Sequence, residues 1–189
     1  MKPNHRNITM MKEDGITLIE LIVVISIIGI IAIALGFSFQ GWIGKYRVES
    51  QIKEMYVDLM NARARAMERN KAHFVTGTLV PPYTYSIYED TNPAPDGNGT
   101  LEIANDTLLP TYPKTVNYAL TWTGGIITFD TRGVIRPAVT PAGGTLCFTT
   151  TSDIDYDCME VSQTRINLGK LTTKISDGGA CNSANCIAK

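Results

Sequence analysis

Histidine is nearly absent from this 189-residue sequence, which contains only His5 and His73. A histidine-based catalytic triad would depend on His73, and no two histidines have the spacing of a zinc-protease helix. A phosphate-binding loop is also missing, because Gly44-Lys45 lacks the upstream glycine and the following Ser or Thr. These absences argue against an enzyme, so we assign no catalytic residue, no metal ligand and no cofactor.

Charged residues are missing from Leu21 to Phe39. The segment Ile16–Phe39 has 24 residues, and a helix of this size would be roughly 36 Å long, enough for a bilayer core of about 30 Å. A cleaved signal peptide has a shorter apolar region of about 7–15 residues and a positively charged start, whereas this leader ends in Glu13 and Asp14. We therefore predict a transmembrane helix at residues 16–39.

Glu20 places a carboxylate at the front edge of this apolar segment. An acidic residue costs about 2.5–3.5 kcal/mol at the centre of a membrane helix and less near its end. A cationic partner would lower the cost further, and the nearest candidate is the amine that a cut after Gly15 would create, on this chain or on a neighbouring one. In the alternative interpretation, Glu20 simply reaches the lipid headgroups.

The stretch Gly-Ile-Thr-Leu-Ile-Glu-Leu-Ile-Val-Val-Ile, which starts at Gly15, resembles the processing signature of type IV pilins and pseudopilins. The resemblance implies that a prepilin peptidase removes a leader of residues 1–15, cuts between Gly15 and Ile16, and N-methylates Ile16. It implies that Glu20 pairs with the N-terminal amine of an adjacent subunit during filament assembly. Alternative start residues at Met10 and Met11 would shorten the leader that begins at Met1.

The helical pattern continues beyond the apolar segment. Apolar residues recur at intervals of three and four, at Val48, Ile52, Met55, Leu59, Ala62 and Ala66, which predicts one apolar stripe along a helix. No proline occurs between Pro3 and Pro81, so one helix from Ile16 to about Lys71 would be roughly 84 Å long. The stripe is too short for a coiled coil and ends in alanines, so we expect residues 40–73, the predicted stalk, to pack on their own β-sheet.

Residues 74–189 have the composition of a β-rich head. Short runs of β-branched and aromatic residues alternate with turn residues, and they predict strands at Tyr83–Tyr88, Thr115–Trp122, Ile126–Asp130, Thr145–Thr150, Met159–Gln163 and Arg165–Leu168. The loop Thr91–Thr100 is rich in Pro, Gly and Asn, so we expect it to be exposed and mobile. The predicted fold class is α+β, with a long N-terminal helix, half transmembrane and half amphipathic, packed on an antiparallel β-sheet head.

The turn Phe129-Asp130-Thr131-Arg132-Gly133 is similar to the Phe-Asp-x-x-Gly turn of the GspH/FimT family, the H-type minor pseudopilins and FimT-type minor pilins. The segments Gly144–Phe148 and Arg165–Gly169 also resemble that family. In physical terms, Asp130 can cap a turn and Gly133 can supply a positive φ between strands.

All four cysteines lie near the C-terminus, at Cys147, Cys158, Cys181 and Cys186. Their spacings of ten and four residues do not match the two-residue spacing of zinc sites, and an even count favours disulfides in an oxidising compartment. We expect Cys147–Cys158 and Cys181–Cys186, the pairs closest in sequence, although four cysteines allow three connectivities. Four reduced cysteines and a zinc site are the alternatives.

Charge in the predicted head argues against a nucleic-acid partner. Residues 72–189 contain seven Lys or Arg against eleven Asp or Glu, a net charge of -4, and they lack the clustered arginines of DNA-binding FimT-type relatives.

The alternating carboxylates Asp153, Asp155 and Asp157 could bind calcium, but the positions that an EF-hand needs for glycine and glutamate hold Cys158 and Thr164. A solvated loop is the simpler interpretation.

The resemblance places this chain in the bacterial inner membrane as a single-pass subunit with a cytoplasmic N-terminus and a periplasmic head. Its expected partners are the prepilin peptidase and other pilins or pseudopilins of the same filament. We favour an H-type pseudopilin of type II secretion, and a minor pilin of a type IV pilus is the close alternative. An uncleaved, single-pass anchored periplasmic binding domain is the alternative from a different class.

Overall fold

The computed structural model describes the backbone of residues 15–136 and 143–189, and their side chains except at 34–41 and 143. The possible start residues Met1, Met10 and Met11, and all of the predicted leader except Gly15, lie outside the described residues. One helix followed by antiparallel strands forms the described chain, which confirms the α+β fold class. The chain divides into two compact units, Met1–Gly41 and Trp42–Lys189.

Helix α1 runs from Leu18 to Arg69 and contains 52 residues. Its uninterrupted length follows from the absence of proline in this part of the sequence. The helix stops two residues before the expected end, because Asn70 has a left-handed φ of 54°, a conformation that Asn adopts more readily than most residues and that ends helices. Within the described residues, no helix meets the combined requirements of length and apolar character for crossing a membrane. The transmembrane segment at 16–39 stays a prediction.

The described part of the second unit contains eleven strands. They are β1 (His73–Thr78), β2 (Thr84–Glu89), β3 (Thr107–Leu108), β4 (Lys114–Thr115), β5 (Leu120–Trp122), β6 (Ile127–Phe129), β7 (Ile135–Arg136), β8 (Gly143–Phe148), β9 (Cys158–Ser162), β10 (Ile166–Leu171) and β11 (Cys186–Ala188). A short 3-10 helix at Ile175–Asp177 precedes β11. The expected strand at Thr115–Trp122 is wrong as a single element, because β4 and β5 belong to different sheets.

The strands form two antiparallel sheets. The first sheet has the order β3-β2-β1-β6-β7, with β4 also paired to β2, and the second has the order β11-β10-β9-β8-β5. In the first sheet, β1 begins only four residues after α1 ends and pairs along its full length with β2, from His73 opposite Glu89 to Thr78 opposite Thr84. The short connection between α1 and β1 returns the chain alongside the helix.

The core confirms the expected apolar stripe on the helix. All six stripe residues are at most 2% exposed, and they share one hydrophobic cluster with residues of both sheets. Phe129 of β6 and Met159 of β9 are fully buried members of that cluster. The amphipathic part of α1 is therefore packed on its own sheets rather than presented as a coiled-coil seam.

The cysteines form two disulfides, but the expected pairing is wrong. Cys147 is bonded to Cys181 with a Cα–Cα distance of 5.8 Å, and Cys158 is bonded to Cys186 with one of 5.9 Å. Cys147 and Cys158 lie directly opposite each other on β8 and β9, where Cβ atoms are about 4.5–5.5 Å apart, farther than most disulfides allow. The two disulfides instead link β8 and β9, through Cys147 and Cys158, to the C-terminal segment that contains Cys181 and Cys186.

Candidate processing and assembly site

The predicted processing segment lies at the start of α1. Thr17 is the last residue before the helix, and its hydroxyl accepts a hydrogen bond of 3.3 Å from the backbone N–H of Glu20. The carbonyl oxygen of Thr17 accepts the first helical bond, from the N–H of Leu21 at 3.2 Å. Thr17 is therefore the N-cap, and Thr17-x-x-Glu20 has the residue types of a capping box. This cap was not predicted, although its sequence pattern is visible beside the predicted cut site.

Glu20 lies in the first turn of α1 and is exposed. A carboxylate at this position is stabilised by the positive end of the helix macrodipole. The position leaves the side chain open to a cation from outside the chain, which the expected pairing with a neighbouring amine requires.

Gly15 is not packed against the described part of the chain. A Cβ atom built on Gly15 would meet no described atom within 4 Å. The residue precedes the helix without regular secondary structure, and Ile16 and Thr17 follow it in the same state. The bond between Gly15 and Ile16 is therefore held outside the helix.

The described apolar side chains of the first unit are exposed. Large hydrophobic residues between Ile16 and Ile33 have exposed fractions from 48% at Ile22 to 76% at Leu18. Apolar surface of this extent is unfavourable in water, at roughly 25 cal/mol per Å². Such a segment needs lipid or other protein chains around it.

A polar joint connects the helix to the first sheet in the second unit. Asp58 is 7% exposed, and its Oδ2 accepts hydrogen bonds from Tyr85 Oη at 2.5 Å and Lys114 Nζ at 2.6 Å. Lys114 also donates to the exposed Glu54 at 2.9 Å. Burial and the hydrogen bond to Asp58 raise the pKa of Tyr85 far above its usual range, which keeps its hydroxyl a donor. These contacts have a structural role, because each polar group in the cluster is hydrogen-bonded to another member of the cluster.

His73 is fully buried at the first position of β1. Its Nδ1 lies 3.1 Å from the carbonyl oxygen of Lys71, which accepts the hydrogen bond, and its Nε2 lies 3.8 Å from Glu89 Oε2. Nε2 has no hydrogen-bond partner among the described residues. Burial lowers the pKa of His73, and the repulsion from Arg65 and Arg69 acts in the same direction. A neutral imidazole is the stable form, and no triad is assembled around it in the described chain.

The Phe-Asp-x-x-Gly turn has the predicted geometry. Asp130 Oδ1 accepts hydrogen bonds of 2.9 Å from the backbone N–H groups of both Arg132 and Val134. Gly133 has a φ of 71°, and a Cβ atom there would lie 2.9 Å from the sulfur of Met67. Asp130 therefore caps the turn, and the positive φ at Gly133 favours glycine, while a Cβ atom there would also require the Met67 side chain to shift.

The three alternating carboxylates do not converge on one point. Asp153 accepts from Lys170 at 2.7 Å and Asp155 accepts from Lys189 at 3.0 Å, whereas Asp157 is buried and accepts from the N–H of Leu171. In the described part of the chain, no group of three His, Cys, Asp or Glu side chains is arranged to hold a metal ion. The lysine partners account for the two exposed carboxylates.

Comparison with known families identifies the prokaryotic N-terminal methylation motif at residues 10–36. The motif is typical of type IV pilin-like proteins, which are membrane-anchored structural subunits, and it implies processing by a prepilin peptidase and assembly with other pilins. It covers the segment that contains Gly15, Ile16 and Glu20. No curated protein matches the chain. No solved structure matches it either.

Proposed function

We propose that this chain is a non-enzymatic minor subunit of an inner-membrane filament, cut between Gly15 and Ile16 and N-methylated on Ile16. The observation that carries the proposal is the N-terminal methylation motif at residues 10–36, which contains Gly15, Ile16 and Glu20. Gly15 and Ile16 are exposed and precede helix α1, which leaves the bond between them accessible to a peptidase.

Glu20 supplies the assembly contact in this proposal. Its exposed carboxylate lies in the first helical turn, four residues after the new amine that cleavage would create. An amine of a neighbouring subunit would neutralise the carboxylate when apolar helices replace lipid around it. The pairing would thus fix the axial register between subunits, while the apolar side chains of Ile16–Phe39 supply the packing surface.

The filament we favour is that of a type II secretion system, with this chain as an H-type pseudopilin. Support for the narrower assignment comes from the β-rich head and its turn, in which Asp130 caps two N–H groups and Gly133 has a positive φ. Deletion of the gene should abolish secretion of folded exoproteins and leave pili intact. Loss of pili with normal secretion would instead assign the chain to a type IV pilus.

Mass spectrometry of the chain extracted from membranes of its own host tests the processing step. We expect a mature N-terminus at Ile16 that carries one added methyl group, and an uncut chain in a strain without the prepilin peptidase. An uncut N-terminus in the wild-type strain, or an unmethylated cut elsewhere, would overturn the filament assignment. Such a result would favour a plain anchored periplasmic domain.

A further inference from the structure

Two exposed aromatic rings mark the start of the second compact unit. Trp42 and Tyr46 stack with ring centroids 6.2 Å apart and an interplanar angle of 25°, and they are 63% and 64% exposed. Trp42 follows Phe39, the last residue of the predicted transmembrane segment, by three positions in the same helix. Trp and Tyr combine an apolar body with a polar edge and concentrate at the boundary between lipid and water.

Lysines from distant parts of the sequence lie beside this aromatic pair. Lys170 donates a hydrogen bond of 2.7 Å to Asp153, and the pKa of Asp153 is lowered by that bond and by the charges of Lys170, Lys174 and Lys45. Lys170 therefore contacts Asp153 directly, and Lys174 and Lys45 lie near enough to lower its pKa by their charge. An open cleft of about 380 Å³ lies among these groups, lined in part by Trp42, Lys45 and Lys170.

The local charge is opposite to that of the head as a whole. Five lysines lie in or next to the cleft, against four carboxylates, a net charge of +1; the lysines are Lys45, Lys53, Lys170, Lys174 and Lys189, and the carboxylates are Glu49, Asp153, Asp155 and the buried Asp157. Residues 72–189 have a net charge of -4, from seven basic and eleven acidic residues. Glu49, Asp153 and Asp155 each have a lysine partner within 3.4 Å, so the surface can face anions without exposing an unpaired carboxylate.

We propose that this basic aromatic surface, formed by Trp42, Lys45, Tyr46, Lys170 and Lys174, rests on the anionic phospholipid headgroups of the membrane that holds the chain. The inference rests on the membrane anchoring contained in the proposed function. Lysines close to an anionic lipid surface are attracted to it over about one Debye length, roughly 8–10 Å at physiological salt. The aromatic rings would lie at headgroup depth, and the lysines of β10 and the segment after it would set the orientation of the head.

Lysine footprinting on the full chain tests this placement. The protein is reconstituted in vesicles of phosphatidylcholine alone or mixed with phosphatidylglycerol, and an amine-reactive reagent labels exposed lysines for mass spectrometry. We expect the labelling rates of Lys45, Lys170 and Lys174 to fall at least about threefold in the anionic vesicles and to recover in 1 M salt, where the Debye length is about 3 Å. Lys71, which lies two residues after the C-terminal end of α1, is the internal control and should be unaffected.

Charge-reversal variants distinguish a contact at this surface from a general effect of the protein's net charge. The double variant Lys170→Glu/Lys174→Glu should abolish the lipid-dependent protection of Lys45. The matched variant Arg136→Glu/Arg165→Glu makes the same change in net charge at exposed positions elsewhere on the head and should keep that protection. Equal labelling in both lipid mixtures, or equal loss in both variants, would overturn the proposal.

The footprint is read on reconstituted protein and does not depend on cleavage. A methylated Ile16 with no lipid-dependent protection would therefore reject the docking surface and leave the filament assignment standing. Lipid-dependent protection in a chain that is never cut in its host would reject the filament assignment and leave the docking surface standing.

Discussion

Lys114 Nζ donates a hydrogen bond of 2.6 Å to Asp58 Oδ2, and this contact ties β4 to α1 across 56 residues of sequence. Asp58 also accepts a hydrogen bond from Tyr85, so one carboxylate on α1 binds side chains of both β2 and β4. Removing it would leave a buried hydroxyl and a partly buried ammonium without their common acceptor. Helix-to-sheet packing in the second unit therefore depends on a polar contact as well as on the apolar stripe.

The variant Asp58→Ala should lower the free energy of unfolding by about 3 kcal/mol, because it leaves the buried Tyr85 hydroxyl without its acceptor and Lys114 with only the exposed Glu54. Glu54→Ala is the matched control, since it removes the other partner of Lys114 from a side chain that is 54% exposed, and it should cost less than about 1 kcal/mol. Urea unfolding followed by circular dichroism measures both values. Equal effects of the two substitutions would contradict a central role for Asp58.

The disulfide pairing gives a second prediction. Non-reducing peptide maps should link Cys147 to Cys181 and Cys158 to Cys186, and a peptide that joins Cys147 to Cys158 would contradict the structure. The bonds close loops with sequence separations of 34 and 28 residues, so replacing either pair with serine should lower stability by about 3–4 kcal/mol in the chain-entropy model. Differential scanning calorimetry of the two double variants provides the measurement.

Burial of His73 makes stability depend on pH in a defined direction. Its pKa is lowered in the folded protein from an ordinary value of 6.5, chiefly by burial, so the unfolded chain binds more protons as the pH falls. Its contribution to stability is therefore complete above about pH 6.5 and is lost as the pH drops below that value. The charged groups around the ring include Glu89, Arg65 and Arg69.

Replacing His73 with Gln should flatten the stability profile between about pH 5 and 7. The sequence contains only one other histidine, His5, but burial also raises the pKa of Asp157, so the contribution of His73 is taken from the difference between the two proteins. Urea midpoints measured across this range for the two proteins give the comparison. If the wild type gains stability relative to the Gln variant toward lower pH, protonated His73 is the more stable form, contrary to the effect of burial.

The helix and its buried face could be predicted from sequence because they rest on local regularities. Six apolar residues at intervals of three and four, without an intervening proline, were enough to identify the face that packs on the sheets. The turn at Asp130 and Gly133 was also predictable, since a short side-chain acceptor and a residue tolerant of positive φ act within five positions.

Features that depend on distant contacts were not predictable in the same way. Asp58 reads as a polar position of the helix, and only Tyr85 and Lys114, brought in by the sheet, explain why it is buried. Two-residue strands such as β3 and β7 are too short to show an alternating pattern. The predicted disulfide pairing was wrong for the same reason, because proximity in sequence does not show which cysteines the C-terminal segment approaches in the fold.

Gly15→Ala should block cleavage without affecting the fold, because a Cβ atom there meets no described atom within 4 Å. Gly29→Ala is the matched control, since it makes the same change at another site that meets nothing within 4 Å, and it should be cut normally. Immunoblots in the host resolve the uncut and cut forms. Normal processing of the Gly15 variant would show that the enzyme does not read this residue.

Glu20→Ala should leave membrane insertion intact but reduce incorporation into filaments about tenfold or more, as expected for the loss of roughly 1.4 kcal/mol or more from a charge pair in an apolar surrounding. Glu20 also lies in the capped first turn, so a helix-start effect must be separated from pairing. Thr17→Ala removes the hydroxyl that accepts from the Glu20 N–H but keeps the carboxylate, and losing such a cap costs only about 1 kcal/mol of helix stability. Co-purification with the filament should therefore persist in the Thr17 variant and fail in the Glu20 variant; equal loss in both would assign Glu20 to the helix start rather than to a neighbouring amine.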